Sequence, residues 1–157
     1  MELRTFTFMT LTLMWVFAIP QSFAGSELVA ASTCRGLNPG SESGLSWNYG
    51  GVQNNSNRDR WVVCSLGGEL LSETQDNELA VVVANGSNLV REITCIFRYI
   101  SAAADDLVTV TRRIAVSSND IESETVNERN TLIYGPTVTC KLPRNTGIAF
   151  LGAEITY

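Results

Sequence analysis

Histidine is absent from the sequence. Its absence excludes Ser-His-Asp and Cys-His nucleophilic sites, zinc sites with histidine ligands, and the side chain that most often acts as a general base near neutral pH. The four cysteines are far apart, so Cys-x-x-Cys redox and zinc-ribbon motifs are absent as well. The sequence therefore predicts a protein that is not an enzyme, with no catalytic residues, no cofactor and no metal site.

Basic residues are also scarce, with 11 lysines and arginines against 16 acidic residues and a net charge of −5. Phosphate backbones and anionic lipids favour clustered Lys and Arg, so this balance argues against nucleic acid and membrane surfaces as partners. The local basic concentrations are Arg58 with Arg60 and Arg112 with Arg113. We expect both to be solvated strand faces.

A long apolar run occurs only near the start of the chain. Arg4 precedes an apolar stretch at roughly residues 6–19, and Pro20 is followed by Ser22-Phe23-Ala24. This is the pattern of a secretory signal peptide cut after Ala24. About 14 apolar-rich residues are too few to span a bilayer, which needs about 20. We expect a signal peptide at 1–24, one mature domain at 25–157, no membrane span after cleavage, and a secreted or periplasmic location.

All four cysteines lie in the predicted mature chain. An even number of cysteines after a signal peptide favours disulfides. Cys34, Cys64, Cys95 and Cys140 allow three connectivities. We favour the pairing Cys34–Cys64, because this bridge would restrain the segment rich in Gly, Asn and Ser that it encloses. The second bridge, Cys95–Cys140, would then join two strands of like pattern. The other two connectivities stay open at this point.

Three cysteines lie inside short apolar runs rich in β-branched residues, at 60–66, 92–99 and 136–143. About eight such runs follow one another with turn signals between them, and no long segment has helical periodicity. This pattern is typical of an all-β protein. It predicts an antiparallel β-sandwich, Ig-like or jelly-roll-like, held by two disulfides.

The most specific local prediction is a hairpin. Residues 78–84 (ELAVVVA) read as a central strand covered on both faces, and Asn85-Gly86 is the strongest hairpin signal in the chain. We therefore predict that residues 78–84 pair with residues 90–100. Residues 117–130 are predicted to be a long acidic loop or an outer strand, and residues 147–157 a final strand.

Aromatic side chains flank a polar segment, residues 53–59 (QNNSNRD). Trp47 and Tyr49 precede it and Trp61 follows it. Rings stack on the apolar faces of sugars while amide groups bond the hydroxyls, so these three residues are a candidate ligand-binding set for a glycan. The alternative is that the rings pack in the core or at an edge.

Two weaker motifs concern calcium and glycosylation. Residues 119–124 and Asp105-Asp106 offer carboxylates, which calcium prefers, but they lack the EF-hand spacing and glycine. We expect solvated acidic loops there. Asn54-Asn55-Ser56 and Asn85-Gly86-Ser87 match the acceptor pattern for N-glycosylation.

The chain resembles a loose group of small exported bacterial proteins with four cysteines and no known function. The resemblance rests on residues 51–56 (GVQNNS), 61–66 (WVVCSL) and 138–143 (VTCKLP), with Ser65 where the group usually has proline. It implies export and a β-sandwich, and no activity.

The leading functional prediction is a secreted or periplasmic β-sandwich without catalysis that binds a glycan or protein partner. One alternative is a carbohydrate-binding module that uses the aromatic set. Another is a pilin-like structural subunit, since the final strand ends in an aromatic residue.

Overall fold

The computed structural model of the chain describes residues 26–30, 33–48, 51–66, 69–70, 76–101, 106–129 and 133–156. The predicted signal peptide lies outside these residues. Nearly all of the described chain is β-strand, and the twelve strands are β1 (Ser26–Ala30), β2 (Arg35–Gly36), β3 (Leu45–Asn48), β4 (Gly51–Asn54), β5 (Arg60–Ser65), β6 (Glu69–Leu70), β7 (Asp76–Asn85), β8 (Arg91–Ser101), β9 (Asp106–Val116), β10 (Asp120–Arg129), β11 (Ile133–Leu142) and β12 (Thr146–Thr156).

The strands form two antiparallel sheets of six strands each. Sheet I has the order β10-β7-β12-β4-β3, with β1 also paired to β12. Sheet II has the order β2-β5-β11-β8-β9, with β6 also paired to β11. Most connections cross from one sheet to the other, as in double-sheet jelly rolls. The predicted antiparallel β-sandwich is confirmed, with more strands than the eight expected because several of them have only two to four residues.

The core lies between the sheets and follows from strict alternation along the longer strands. In β8 the inward residues Ile93, Cys95, Phe97 and Tyr99 are buried, as the sequence predicts. Fully burying an aliphatic or aromatic side chain of this size contributes roughly 1.5–3 kcal/mol relative to exposure. The partners of these residues in the core come from both sheets: Val52, Val62, Cys64, Leu66, Leu79, Val81, Val83, Val138, Cys140, Leu142, Ile148 and Leu151.

Both disulfides lie in sheet II, and both have the pairing that the sequence favours. Cys34 is bonded to Cys64, and Cys95 to Cys140. Cys95 and Cys140 are direct register partners on β8 and β11. Since all four side chains are buried, the bridges form part of the core as well as closing the two loops.

The strand at 78–84 is central, as predicted, because β7 pairs with β10 on one side and β12 on the other. It is not covered on both faces. Leu79 and Val81 are fully buried, whereas Ala80 and Val82 on the opposite face are partly exposed. Their small or β-branched side chains belong to an outer face of sheet I that no other element of the described chain covers.

The predicted hairpin between residues 78–84 and 90–100 is wrong. β7 belongs to sheet I and β8 to sheet II, so the chain crosses the sandwich at Asn85-Gly86 instead of turning back in the same sheet. A type I′ hairpin turn needs positive φ at both central residues. Gly86 is not among the described glycines with positive φ, which are Gly44 and Gly135.

The acidic segment at 117–130 is mostly strand β10, which lies at the edge of sheet I. Its Glu124 forms an ion pair of 3.2 Å with Arg112 of β9, the edge strand of sheet II. The outer-strand alternative is therefore confirmed, and the acidic side chains protect an edge that could otherwise pair with another chain. Among the described residues, no helix could cross a membrane.

Candidate functional site

Two of the crossings between the sheets are built in the same way. The first arch, residues 54–60, joins β4 to β5, and the second arch, residues 85–91, joins β7 to β8. Their sequences, NNSNRDR and NGSNLVR, share Asn, Ser, Asn and Arg at matching positions, each 31 residues apart. The match extends to Cys64 and Cys95, so the second arch and its strand repeat the first.

In the first arch, the buried carboxamide of Asn54 holds the loop together. Its Nδ2 donates to the carbonyl oxygens of Arg58 and Leu142, both at 2.8 Å. Its Oδ1 accepts from the backbone nitrogen of Ser56 at 2.9 Å and from Ser56 Oγ at 2.7 Å. Arg60 Nε in turn donates to Ser56 Oγ at 3.1 Å. The loop is thus shaped by side-chain bonds to backbone, which is how Asn and Ser compete with a regular turn.

The second arch has a closely similar network, with one more carbonyl oxygen near the asparagine. Asn85 Nδ2 lies 2.8 Å from the carbonyl oxygen of Leu89 and about equally close to those of Val116 and Ser117. Its Oδ1 accepts from the backbone nitrogen and Oγ of Ser87 at 2.9 and 2.7 Å. The corresponding arginine, Arg91, donates from Nε to Ser87 Oγ at 3.3 Å.

The glycosylation acceptors coincide with these arches. Asn54 and Asn85 are 0% and 2% exposed, and the Nδ2 atom that a glycan would modify is hydrogen-bonded inside each arch. In the folded chain the two asparagine side chains therefore hold the arches together through hydrogen bonds, and neither is exposed to solvent.

A turn at residues 143–146 lies between the arches and joins them. The backbone nitrogen of Asn145 donates to Asn54 O, and its carbonyl oxygen accepts from Gly86 N, both at 2.8 Å. Thr146 Oγ1 closes the turn by donating to Pro143 O at 2.7 Å. Arch, turn and arch thus form one hydrogen-bonded assembly at this end of the sandwich.

A cleft of about 440 Å³ opens beside this assembly, on the outer face of sheet I. Four strands contribute one register row to its floor, because Ile121, Ala84, Gly147 and Gln53 are successive partners across β10, β7, β12 and β4. Partners across a sheet share a face, and Val52 and Val83 next to this row point into the core. The row therefore lies on the outer face, where Ile121 is exposed, Ala84 and Gln53 are partly exposed and Gly147 is buried.

Small residues keep the floor of the cleft bare. A Cβ at Gly147 would lie 2.6 Å from Val52 O, and one at Gly51 would lie 2.8 Å from Ile148 O, so β4 and β12 approach too closely for side chains. The register of β12 against β7 shifts between Ile148 and Phe150, which makes Ala149 the extra residue of a bulge. Bulges of this kind often occur beside binding sites, where they redirect a strand.

Unpaired polar groups surround the floor. The carboxamides of Gln53, Asn119 and Asn145 make no hydrogen bond within the described part of the chain. One carboxylate oxygen of Asp120 accepts a hydrogen bond from Ile121 N at 2.8 Å, and the other makes no hydrogen bond within the described residues. No lysine or arginine is among the described residues that line the cleft. The cleft therefore offers three groups that both donate and accept, and one carboxylate, over an apolar floor.

Trp47 and Trp61, two of the three aromatic residues that the sequence suggests for glycan binding, do not line this cleft. Trp47 is the register partner of the buried Val52, so it faces the gap between the sheets at the edge strand β3. It is 40% exposed, and its Nε1 donates to Cys34 O at 3.1 Å. Trp61 lies on the outer face of sheet II, opposite the buried Val62. Tyr49 lies outside the described residues, and a ligand-binding role for the three stays a prediction.

The acidic candidates are also separated. Residues 120–124 lie in a strand, so their side chains alternate between two faces, and Glu124 is paired with Arg112. Among the residues that the structure describes, no three cysteine or acidic side chains cluster so that they could hold a metal ion. Asp105 lies outside those residues.

Comparison with known proteins identifies the fold and no family. No protein-family model matches the chain, and no curated protein matches it. The CBM22-1-GH10 modules of Clostridium thermocellum endo-1,4-β-D-xylanase 10B, complexed with xylohexaose, align at a TM-score of 0.52 and 10% identity. The alignment covers 82% of this chain and 27% of that one, so this chain spans about a quarter of the xylanase structure.

Two further structures are similar at lower scores. The carbohydrate-binding module CBM6cm-2 of Cellvibrio mixtus lichenase 5A, in complex with cellotriose, has a TM-score of 0.47 and 12% identity over 83% of this chain and 98% of that one. The Podospora anserina GH26-CBM35 β-(1,4)-mannanase has a TM-score of 0.46 and 10% identity over 85% and 28%. At these identities the comparisons concern the fold alone, and it is the xylanase that establishes the shared β-sandwich.

Proposed function

We propose that the chain is an exported protein without catalytic activity that binds uncharged glycans in the cleft on sheet I. The observation that carries this proposal is the ring of unpaired carboxamides around a bare apolar floor. Sugar hydroxyls donate and accept hydrogen bonds at the same time, as carboxamides do. The apolar face of a pyranose ring can lie on Ala84 and the backbone at Gly147.

The position of the cleft supports the same proposal. Binding is tightest when the polar groups of a site are held in place before the ligand arrives. The arches and the turn at 143–146 fix the backbone at Asn145, while paired strands fix it at Gln53 and Ala84. An extended glycan could also run along the open outer face of sheet I, where Ala80 and Val82 are partly exposed.

Removing two carboxamides from the cleft tests the proposal. Gln53→Ala deletes one, and Asn119→Gly deletes the other while preserving the positive φ of 54° that glycine adopts freely. In calorimetric titrations with neutral oligosaccharides, including xylohexaose, we expect the double variant to bind roughly thirtyfold more weakly than the unmodified chain, at about 1 kcal/mol for each of the two hydrogen-bonding groups lost.

The matched control removes two exposed carboxamides from the arches, Asn57→Ala with Asn88→Ala, and should bind as the unmodified chain does. A second comparison distinguishes glycan binding in the cleft from glycan binding by the tryptophans. If Trp61→Ala abolishes binding while the cleft variant retains it, the glycan site is on the tryptophans and the proposal is wrong. If no neutral glycan binds at all, the proposal also fails.

A further inference from the structure

The net charge of −5 is distributed unevenly between the two sheets. The strands of sheet I carry eight acidic residues and a single basic one, Arg129. The strands of sheet II carry three acidic residues, Glu69, Glu92 and Asp106, and seven basic ones: Arg35, Arg60, Arg91, Arg98, Arg112, Arg113 and Lys141. The two sides of the sandwich therefore have opposite electrostatic character.

The outer face of sheet II concentrates part of this positive charge. Trp61, Lys141, Thr94 and Arg113 are successive register partners across β5, β11, β8 and β9. Val62, Cys140, Leu142, Ile93, Cys95 and Ile114 lie beside this row along the strands and are buried in the core, so the row belongs to the outer face. Lys141 is half-exposed and pairs with Asp59 at 2.8 Å, whereas Arg113 has no ion pair in the described part of the chain.

A second and a third row extend the same face. Thr137, Arg98 and Thr109 are partners across β11, β8 and β9, and Arg98 is exposed and has no ion pair among the described residues. Between these rows, Arg35, Val63, Thr139, Ile96 and Thr111 are partners in the same way. Two acidic residues lie at the ends of this face: Glu92 is the register partner of Ala115 at one end, and Glu69 is that of Tyr134 at the other.

Strand geometry gives the spacing of the cations. Lys141 and Arg113 are two strands apart, which places their backbones about 10 Å from each other. Arg98 is one strand and four residues from each of them, or about 14 Å. The cations of this face are thus separated, and threonine residues lie between them.

We propose that this face binds an anionic polysaccharide that carries carboxylates, such as a polyuronate. Arginine pairs with carboxylates through two parallel hydrogen bonds, and the threonine hydroxyls match the sugar hydroxyls between the charges. A nucleic acid fits less well, because its dense phosphates favour clustered cations and the cations of this face are separated. Anionic membranes likewise favour compact clusters of four to eight basic residues.

This second surface lies on the opposite sheet from the cleft, and the two can be tested separately. The probe is polygalacturonate, and its fully methyl-esterified form is the matched uncharged ligand. At low ionic strength we expect the chain to bind the acid form and not the ester. Arg98→Gln with Arg113→Gln should weaken this binding roughly tenfold, because the variant removes two exposed ion pairs with the ligand.

The control is Arg58→Gln with Arg144→Gln, which removes the same charge from exposed arginines outside the face and should leave binding nearly unchanged. The cleft variant Gln53→Ala with Asn119→Gly should also bind polygalacturonate normally. The proposal is overturned if the control pair weakens binding equally, if the ester binds as well as the acid, or if duplex DNA or anionic vesicles bind through the same two arginines. Self-association at low salt that Arg98→Gln with Arg113→Gln abolishes would assign the face to a second copy instead.

Discussion

Replacing Asn85 by alanine should destabilise the chain by about 3–5 kcal/mol, because one buried carboxamide lies within hydrogen-bonding distance of five backbone and side-chain groups at the second arch. The loss leaves the carbonyl oxygens of Val116 and Ser117 without this donor in the folded state. Asn54→Ala should have a comparable effect at the first arch, where the same contacts are made with one carbonyl fewer. Urea denaturation followed by circular dichroism measures both.

The chain contains its own controls for this prediction. Asn88 and Asn57 follow the central serines at equivalent positions, are exposed, and make no hydrogen bond among the described residues. Their alanine variants should change the free energy of unfolding by less than about 0.5 kcal/mol. Asn85→Asp should be at least as harmful as Asn85→Ala, since it replaces the donor with a buried charge facing carbonyl oxygens. Equal stabilities for Asn85→Ala and Asn88→Ala would contradict the arch network.

Removing either disulfide should cost roughly 3–4 kcal/mol, because the bridges close loops with sequence separations of 30 and 45 residues. The two loops do not overlap along the chain, so the effects should add. Cys34→Ala with Cys64→Ala and Cys95→Ala with Cys140→Ala would each leave a folded protein of reduced stability. The four-alanine variant would lose about 7 kcal/mol, which approaches or exceeds the whole stability of many domains.

Urea titrations of the two double variants and the four-alanine variant test this additivity. The dependence of the free energy on urea concentration should become steeper as bridges are removed, because the unfolded chain then expands further. A four-alanine variant that stays folded, with a midpoint close to that of either double variant, would show that the bridges do not stabilise independent loops.

Local patterns were enough to predict the sandwich and its disulfides. Alternation in the strands around Cys64, Cys95 and Cys140 already places these cysteines on inward faces, where the structure has them buried. The Gly-, Asn- and Ser-rich segment after Cys34 favours a bridge to Cys64, which the structure contains. These features depend on residues close together in the chain.

The hairpin prediction failed because it rested on the Asn85-Gly86 dipeptide alone, whereas the course of the chain depends on contacts between residues that are distant in sequence. Asn85-Gly86 favours a tight turn because asparagine and glycine tolerate the positive φ that such a turn needs. Here the asparagine side chain bonds Val116 and Ser117, more than thirty residues away, and pulls the chain across to the other sheet. The sequence does contain a sign of this: Asn, Ser, Asn, Arg and Cys recur at a constant spacing at 54–64 and 85–95.

The cleft could not be predicted from spacing. Gln53, Ala84, Asn119 and Asn145 come from four separate segments and meet only because β4, β12, β7 and β10 are neighbours in sheet I. The division of charge has the same origin, since it becomes visible only when each strand is assigned to a sheet. Side chains that are individually ordinary become a site through non-local pairing.

A crystal structure of the chain with a neutral oligosaccharide that it binds tests the central claim most directly. We expect one sugar ring over Ala84 and Gly147, with its hydroxyls within hydrogen-bonding distance of the carboxamides of Gln53 and Asn119. A sugar stacked on Trp47 or Trp61 instead, with the cleft on sheet I empty, would contradict the account.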